Sequence, residues 1–423
     1  MGDQMRILMA AYPFPPYMWA PGASIRLVKF LKYMARHRPE LAIDVVTAGY
    51  GEGEGDLPHM ADDLLGEIPD TVRVIRINDP YYLAEGEGAE HIASNAGTPI
   101  PDRHISWNGA VLEWLVYSAR QQHYDVVYVS SPPYSTAVLG VYIKKGLETP
   151  LIVDIKDDWN LLWRGYTAER VSEEQTLERE VVQAADEVIL VTPASLENYQ
   201  RRYPSDAHFS LITNGVDLED FADIDVGTEQ PPTFKVTYVG SLGGHNRSPV
   251  NFFKGFQRLL ADSDVDASIC EACFPAHMNP DFWEAVSQMD LEPWVKGVPI
   301  LPQDEFKQHL ATSAVLLTIN YYGATTLVPG KLYEYWAVGR PVLLIEKPGI
   351  ATDLVQKNNL GLTADPDDVE GIYGALRAFH NDYVNGRCKP SNRQGLEEFS
   401  RERLTLRLCS LLDRHLPGVS GKE

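Results

Sequence analysis

Asn320-Tyr321-Tyr322-Gly323-Ala324-Thr325-Thr326-Leu327-Val328-Pro329-Gly330-Lys331-Leu332-Tyr333-Glu334-Tyr335-Trp336-Ala337-Val338-Gly339-Arg340-Pro341 is the stretch whose reading decides the architecture. An apolar run, Val315–Ile319, leads into it, and a second, Pro341–Ile345, follows it. Between them lie a small-residue loop, a helical stretch and a glycine stop, which together make one strand–helix–strand unit of a parallel sheet. The helix start presents unbonded backbone N–H groups and Lys331 to an anion, as a diphosphate site requires. Glu334 falls three residues later on nearly the same face, where its carboxylate can accept from two neighbouring ribose hydroxyls.

Similar β-rich runs recur outward from this unit. In the first half they are Arg6–Ala10, Ile43–Thr47, Val72–Ile77, Asp125–Val129, Leu151–Ile155, Glu187–Thr192 and Phe209–Thr213. In the second half they are Lys235–Val239, Asp266–Cys270, Val298–Leu301, Val315–Ile319, Pro341–Ile345 and Gly361–Ala364. Several are almost continuously apolar, the mark of parallel strands covered on both faces. They are too many for one open sheet, so the reading is α/β with two Rossmann-like doubly wound domains facing a central cleft. The break falls in the acidic, proline-ended stretch near 217–233. This gives an N-terminal domain over 1–217, a linker over 218–233 and a C-terminal domain over 234–394. A final helix over about 395–415, striped by Leu404, Leu408 and Leu411, is expected to pack back on the first domain. Gly49–Glu67 reads as an exposed loop.

In doubly wound sheets ligands bind at the carboxyl ends of the strands, so the loops there carry the candidates. The first such loop lacks G-x-G-x-x-G, which argues against a nicotinamide dehydrogenase. Gly22-Ala23 still opens a helix, and small residues there either admit a phosphate or merely pack. The helix Ser24–His37 sets Leu27, Val28, Leu31 and Met34 on one face and Arg26, Lys29, Lys32 and Arg36 near the other. That basic stripe is a candidate contact with anionic lipid, the alternative being a solvated outer face. After Leu151–Ile155, Lys156 and Asp157 are the candidate catalytic charges, with helix capping as the structural alternative for Asp157. Ser130 lies in a neighbouring loop, as do Gly240 and Ser241 before Gly243-Gly244, and Arg247 offers a second cation.

With 37 Lys and Arg against 59 Asp and Glu the formal charge is −22, which argues against a nucleic-acid partner. Four cysteines, all after residue 269, make no disulfide framework and suit a reducing cytoplasm. Cys270 and Cys273 have a metal spacing, but no second pair accompanies them. No apolar run reaches the ~18 residues of a membrane span.

In chain order, four stretches resemble motifs of the family 4 glycosyltransferases, which have the GT-B fold. Gly22-Ala23 matches the family's glycine loop, and Asp154-Ile155-Lys156-Asp157-Asp158-Trp159 resembles its Asp-x-x-Asp-x-Trp. Ile212-Thr213-Asn214-Gly215-Val216-Asp217 resembles Pro-Asn-Gly-Val-Asp, and Lys331 to Pro341 resembles Lys-Leu-x-Glu-Tyr-x-Ala-x-Gly-x-Pro. The resemblance spans nearly the whole chain. It implies transfer of a sugar from a nucleotide diphosphate sugar, UDP- or GDP-linked, to a glycan, lipid-linked or secondary-metabolite acceptor. Retention of anomeric configuration is implied, and neither a metal nor another cofactor is. Gly22, Ala23, Arg247, Thr326, Leu327, Val328 and Lys331 would then hold the diphosphate and Glu334 the ribose. Asp157 would help seat acceptor or donor sugar, and Ser130, Gly240, Ser241 and Asn320 would line the donor side. Thr326 stands where many members have a glutamate, and Ser241 where many have an arginine. A non-catalytic sugar-nucleotide-binding subunit and a sugar-nucleotide epimerase on the same fold are the competing readings.

Overall fold

The computed structural model describes residues 5–16, 21–49, 58–80, 99–118, 121–163, 165–204, 208–224, 226, 230–240, 242, 248–299, 301–320, 325–388, 391 and 393–416. The chain divides into two compact units, one from residues 1–213 and 401–423, the other from 214–400.

The first unit holds strands β1 (Arg6–Ala11), β2 (Ala42–Ala48), β3 (Val72–Ile77), β4 (Val126–Ser131), β5 (Leu151–Ile155), β6 (Glu187–Leu190) and β7 (Phe209–Leu211). They form one parallel sheet in the order β3-β2-β1-β4-β5-β6-β7. Its helices are α1 (Pro21–His37), α2 (Pro58–Gly66), α3 (Ile105–Ser118), α4 (Tyr134–Leu147), α5 (Ala168–Ala184) and α6 (Pro193–Arg202). Strands such as β2 and β4 are buried along their whole length, which explains their largely apolar sequences. Trp107, Leu139, Val182 and Tyr199 fill one core of the unit. The other combines Leu27, Val28, Leu31 and Met34 of α1 with Leu404, Leu408, Leu411 and Leu412 of a last helix, Arg401–Asp413.

The second unit is a six-stranded parallel sheet of β8 (Phe234–Tyr238), β9 (Cys270–Pro275), β10 (Val295–Val298), β11 (Val315–Ile319), β12 (Val342–Ile345) and β13 (Gly361–Ala364). The order is β10-β9-β8-β11-β12-β13, so the direction of winding reverses between β8 and β11. Helices α7 (Val250–Leu260), α8 (Pro280–Gln288), α9 (Gln303–Ala311), α10 (Gly330–Val338), α11 (Ile350–Lys357) and α12 (Val369–Val384) cover it. Counting on from these, the helix Arg401–Asp413 of the first unit is α13. Both sheets are parallel and wound in both directions from an inner strand, the Rossmann-like arrangement expected from the sequence.

Three elements differ from the sequence reading. The strand expected at Asp266–Cys270 starts only at Cys270, because the Asp266 carboxylate accepts from the Ser268 N–H at 2.9 Å and closes a 3₁₀ turn over Ala267–Ile269. The strand expected at Val298–Leu301 is Val295–Val298 instead, paired with Ala272–Pro275. Pro299 follows it and has no N–H to continue a ladder. Within the supposed loop Gly49–Glu67, Pro58–Gly66 is helical and buries Leu64, with a proline suited to a helix start. The division of the chain falls ahead of the acidic stretch, since Val216, Phe221 and Ile224 are all buried in the second unit's core.

Candidate active site

In the second unit the site is organised by α10. Leu332, Tyr333, Tyr335, Trp336, Ala337 and Val338 turn inward, which leaves Lys331 and Glu334 half-buried. Pro329 precedes the helix with φ −58° and ψ 132° and offers no side-chain cap of its own, and the first turn holds no acidic residue. The helix end therefore keeps its positive dipole for an anion. At the other end Gly339 takes φ +85°, and its N–H closes on the Tyr335 carbonyl at 3.0 Å.

Lys331 reaches across to the end of β8. Its Nζ donates to the Val239 carbonyl at 2.6 Å and to the Tyr238 hydroxyl at 3.0 Å, and it sits 4.2 Å from the centre of the Tyr238 ring. Gly240 follows with φ +96°, where a Cβ would lie 2.9 Å from that ammonium. The Tyr335 hydroxyl accepts from the Val239 N–H and donates to the Leu317 carbonyl, each at 3.2 Å, and so ties β8 to β11 at the point where winding reverses. Asn320, 7% exposed, donates its backbone N–H to the Ile345 carbonyl of β12 at 3.2 Å, and its buried side-chain Nδ2 has no hydrogen-bond partner among the described residues. Thr326 and Leu327 are half-buried and Val328 is buried, directly ahead of the helix. The structure thus gathers Gly240, Asn320, Thr326, Leu327, Val328, Lys331 and Glu334 at one edge of the sheet. Ser241 and Arg247 lie outside the described residues.

In the first unit the carboxyl end of β5 carries two kinds of charge. Asp154 is sealed from solvent and accepts from Arg26 Nε at 2.8 Å, Arg26 Nη2 at 3.1 Å and the Tyr128 hydroxyl at 2.6 Å. Arg26 also donates to the carbonyls of Thr213 and Ile212 at 2.7 and 2.9 Å. Burial works against the Arg26 charge, but Asp154 and Tyr128 outweigh it and hold the guanidinium above its ordinary value. Lys156 is also buried, and its Nζ donates to Ser130 Oγ at 2.8 Å. Burial, opposed in part by Asp154, lowers this lysine to about 8. The Asp157 side chain is exposed, while its carbonyl accepts the Tyr134 hydroxyl at 3.0 Å. Trp159 donates to Glu174 at 2.6 Å and stacks on Tyr134 at 4.5 Å. Asp154 and Trp159 of the motif are therefore framework, while Lys156 is buried against Ser130 and Asp157 is exposed beyond the strand end. Gly22 is exposed in the first turn of α1, which starts three residues earlier than the sequence suggested and includes Ala23.

Two of the four basic residues of the α1 stripe are turned inward and present no charge to a surface. Arg26 and Lys29 are each 1% exposed, the first held by Asp154 and the second by Glu67 at 2.6 Å. Lys32 also reaches Glu67 at 3.5 Å, and Arg36 reaches Glu402 at 3.9 Å. Among the described residues no helix is long and apolar enough to cross a membrane. Cys270 and Cys273 are free thiols raised by burial, the first to about 11, and Cys273 Sγ lies 2.9 Å from a Glu271 oxygen. Tyr238 and the Arg26 anchorage escaped the sequence reading, since no local pattern marks a partner that lies 93 or 128 residues away.

Residues 69–220 match the model of Glycosyltransferase Family 4. No curated protein matches the chain. Among solved structures, the fold is similar to sucrose-phosphate synthase from Thermosynechococcus elongatus, with TM-score 0.68, 14% identity and coverage of 97% of this chain and 98% of that one. It is similar to Anabaena HepE in complex with UDP-glucose, with TM-score 0.66, 15% identity and coverage of 97% and 100%. The lipopolysaccharide outer core galactosyltransferase WaaB gives TM-score 0.59, 13% identity and coverage of 97% and 100%. Thirteen strands among the described residues wind into two parallel sheets, and with these similar folds they lead to one assignment: the chain has the GT-B fold, and its residues 69–220 match a family 4 glycosyltransferase.

Proposed function

We propose that the protein transfers a glycosyl group from a nucleotide diphosphate sugar, UDP- or GDP-linked, to a hydroxyl of a sugar-containing or lipid-linked acceptor, with retention of configuration and without a metal. The observation that carries this is the N-terminus of α10, to which its N-cap proline gives no side-chain cap, beside the Lys331 ammonium and the side-chain-free Gly240. Two sources of positive charge meet there where a phosphate can approach the backbone closely.

In this reading the loop 326–331 and Lys331 bind the diphosphate and stabilise the charge that builds on it as the sugar C1–oxygen bond breaks. Glu334 accepts from the ribose hydroxyls. Gly22 and Ala23 approach the diphosphate, and Lys156 and Asp157 seat the sugars and receive the proton that leaves the acceptor hydroxyl. HepE, similar in fold, is described in complex with UDP-glucose, which supports a nucleotide-sugar donor.

The test is equilibrium binding of UDP, GDP, ADP, dTDP and CDP, each with magnesium and with EDTA. One base is expected to bind best, equally in both buffers, and Lys331→Ala and Glu334→Ala are each expected to lose most of that affinity while melting as wild type does. Unchanged affinity in both variants would refute the site.

A further inference from the structure

We infer that Tyr238 is a positioning residue for the donor's diphosphate, acting through Lys331; the inference rests on the donor reading above. A lysine ammonium sits on a flexible four-carbon stem and, left alone, spends its binding strength on ordering itself. Here three groups of β8 and its end meet it. The Val239 carbonyl lies 2.6 Å from Nζ, the Tyr238 hydroxyl 3.0 Å, and the face of the Tyr238 ring 4.2 Å from its centroid. The ring itself is fixed from behind, since it stacks on Phe274 at 5.7 Å with an interplanar angle of 27°. Tyr238 is buried in the sheet, so its hydroxyl and ring face form a rigid seat.

Gly240 completes the seat by what it lacks. Its φ of +96° suits glycine, and any β-carbon there would stand 2.9 Å from Nζ. Lys347, the other lysine of the described residues at this edge, is drawn off by Asp365 at 2.8 Å and Asp367 at 2.6 Å. Among the described residues Lys331 is therefore the cation that accompanies the α10 N-terminus, and Tyr238 sets where it stands.

The experiment measures equilibrium binding of UDP and of uridine to wild type, Tyr238→Phe, Tyr238→Leu, Lys331→Ala and the double variant Tyr238→Leu/Lys331→Ala. Tyr238→Phe keeps the ring against Phe274 and is expected to fold as wild type. It should bind UDP about threefold to tenfold more weakly, the loss of one hydrogen bond. Tyr238→Leu should lose more, about tenfold or above, because the ring face goes too. Uridine should bind alike in every variant, and the double variant should bind UDP no more weakly than Lys331→Ala. UDP affinity untouched in both Tyr238 variants, equal losses for uridine, or losses that multiply in the double variant would each overturn the inference while leaving the donor reading in place. Absence of UDP and GDP binding in the wild type would overturn the donor reading and this inference with it.

Discussion

Arg26 and Asp154 meet through two hydrogen bonds of 2.8 and 3.1 Å, with 1% and 0% of their side chains exposed, from a helix and a strand 128 residues apart. Removing one member leaves the other charge buried and uncompensated. Arg26→Ala and Asp154→Ala are each expected to cost about 3–5 kcal/mol of stability. An apolar pair of similar volume, Arg26→Met with Asp154→Leu, should cost less than the sum of the two single losses. Urea unfolding of the four proteins decides it; additive losses would show that the ion pair has no energetic coupling.

Lys156 predicts a stability that rises with pH. Its folded value of about 8 lies below the 10.5 of an ordinary lysine, so between these limits the unfolded chain binds more protons than the native one. Stability limited by the buried charge should therefore recover as pH rises through that window. Denaturant unfolding at pH 7 and pH 9.5 is expected to show a gain in wild type that Lys156→Met lacks. Equal pH dependence in both proteins would place the lysine in a solvated setting.

Two histidines of the second unit act at the acid end. Burial, with Lys235 nearby, lowers His309 to about 4, and burial lowers His380, whose two ring nitrogens have no hydrogen-bond partner. Below 6.5 the unfolded chain takes up protons that the native chain refuses, so stability falls as pH drops from 6.5 toward 4. His309→Gln with His380→Phe should flatten that fall, as read from melting temperatures at pH 7, 6 and 5.

Gly339 terminates the helix that carries Lys331 and Glu334. Its φ of +85° costs a residue with a β-carbon about 1–2 kcal/mol. Gly339→Ala also brings a methyl to 3.1 Å from Arg393 Nε. The expected result is a loss of stability near that figure, with the crossover measured by urea unfolding, and no loss of nucleotide affinity at a temperature well below the melt.

Glu334 is expected to discriminate ribose from deoxyribose. Glu334→Gln should weaken UDP more than 2′-deoxy-UDP, because only the first presents both hydroxyls to the carboxylate. Equal losses for the two ligands would remove Glu334 from the ribose.

The sheets were legible because a parallel strand covered on both faces writes itself as a nearly continuous apolar run; Val315–Ile319 and Leu151–Ile155 stand where their sequences place them. Ends set by a single hydrogen bond or a missing one were not, as Asp266 and Pro299 show. The strand–helix–strand unit around α10 was legible because its loop, helix and glycine stop are contiguous. Arg26 was misread because a helical wheel separates apolar from charged faces and is blind to a buried carboxylate 128 residues on. Tyr238 ends a buried strand like any core tyrosine, and only the third dimension brings Lys331 above it.

The pairing of α13 with α1 sets an order of assembly. Residues 214–400 form a unit from one uninterrupted length of chain, whereas the first unit needs Leu404, Leu408, Leu411 and Leu412 to cover Leu27, Leu31 and Met34. On a ribosome the second unit is therefore complete before the first, although the first is begun earlier. Through the whole synthesis of residues 214–400 an apolar flank of α1 stands uncovered, and it closes only when the final helix emerges.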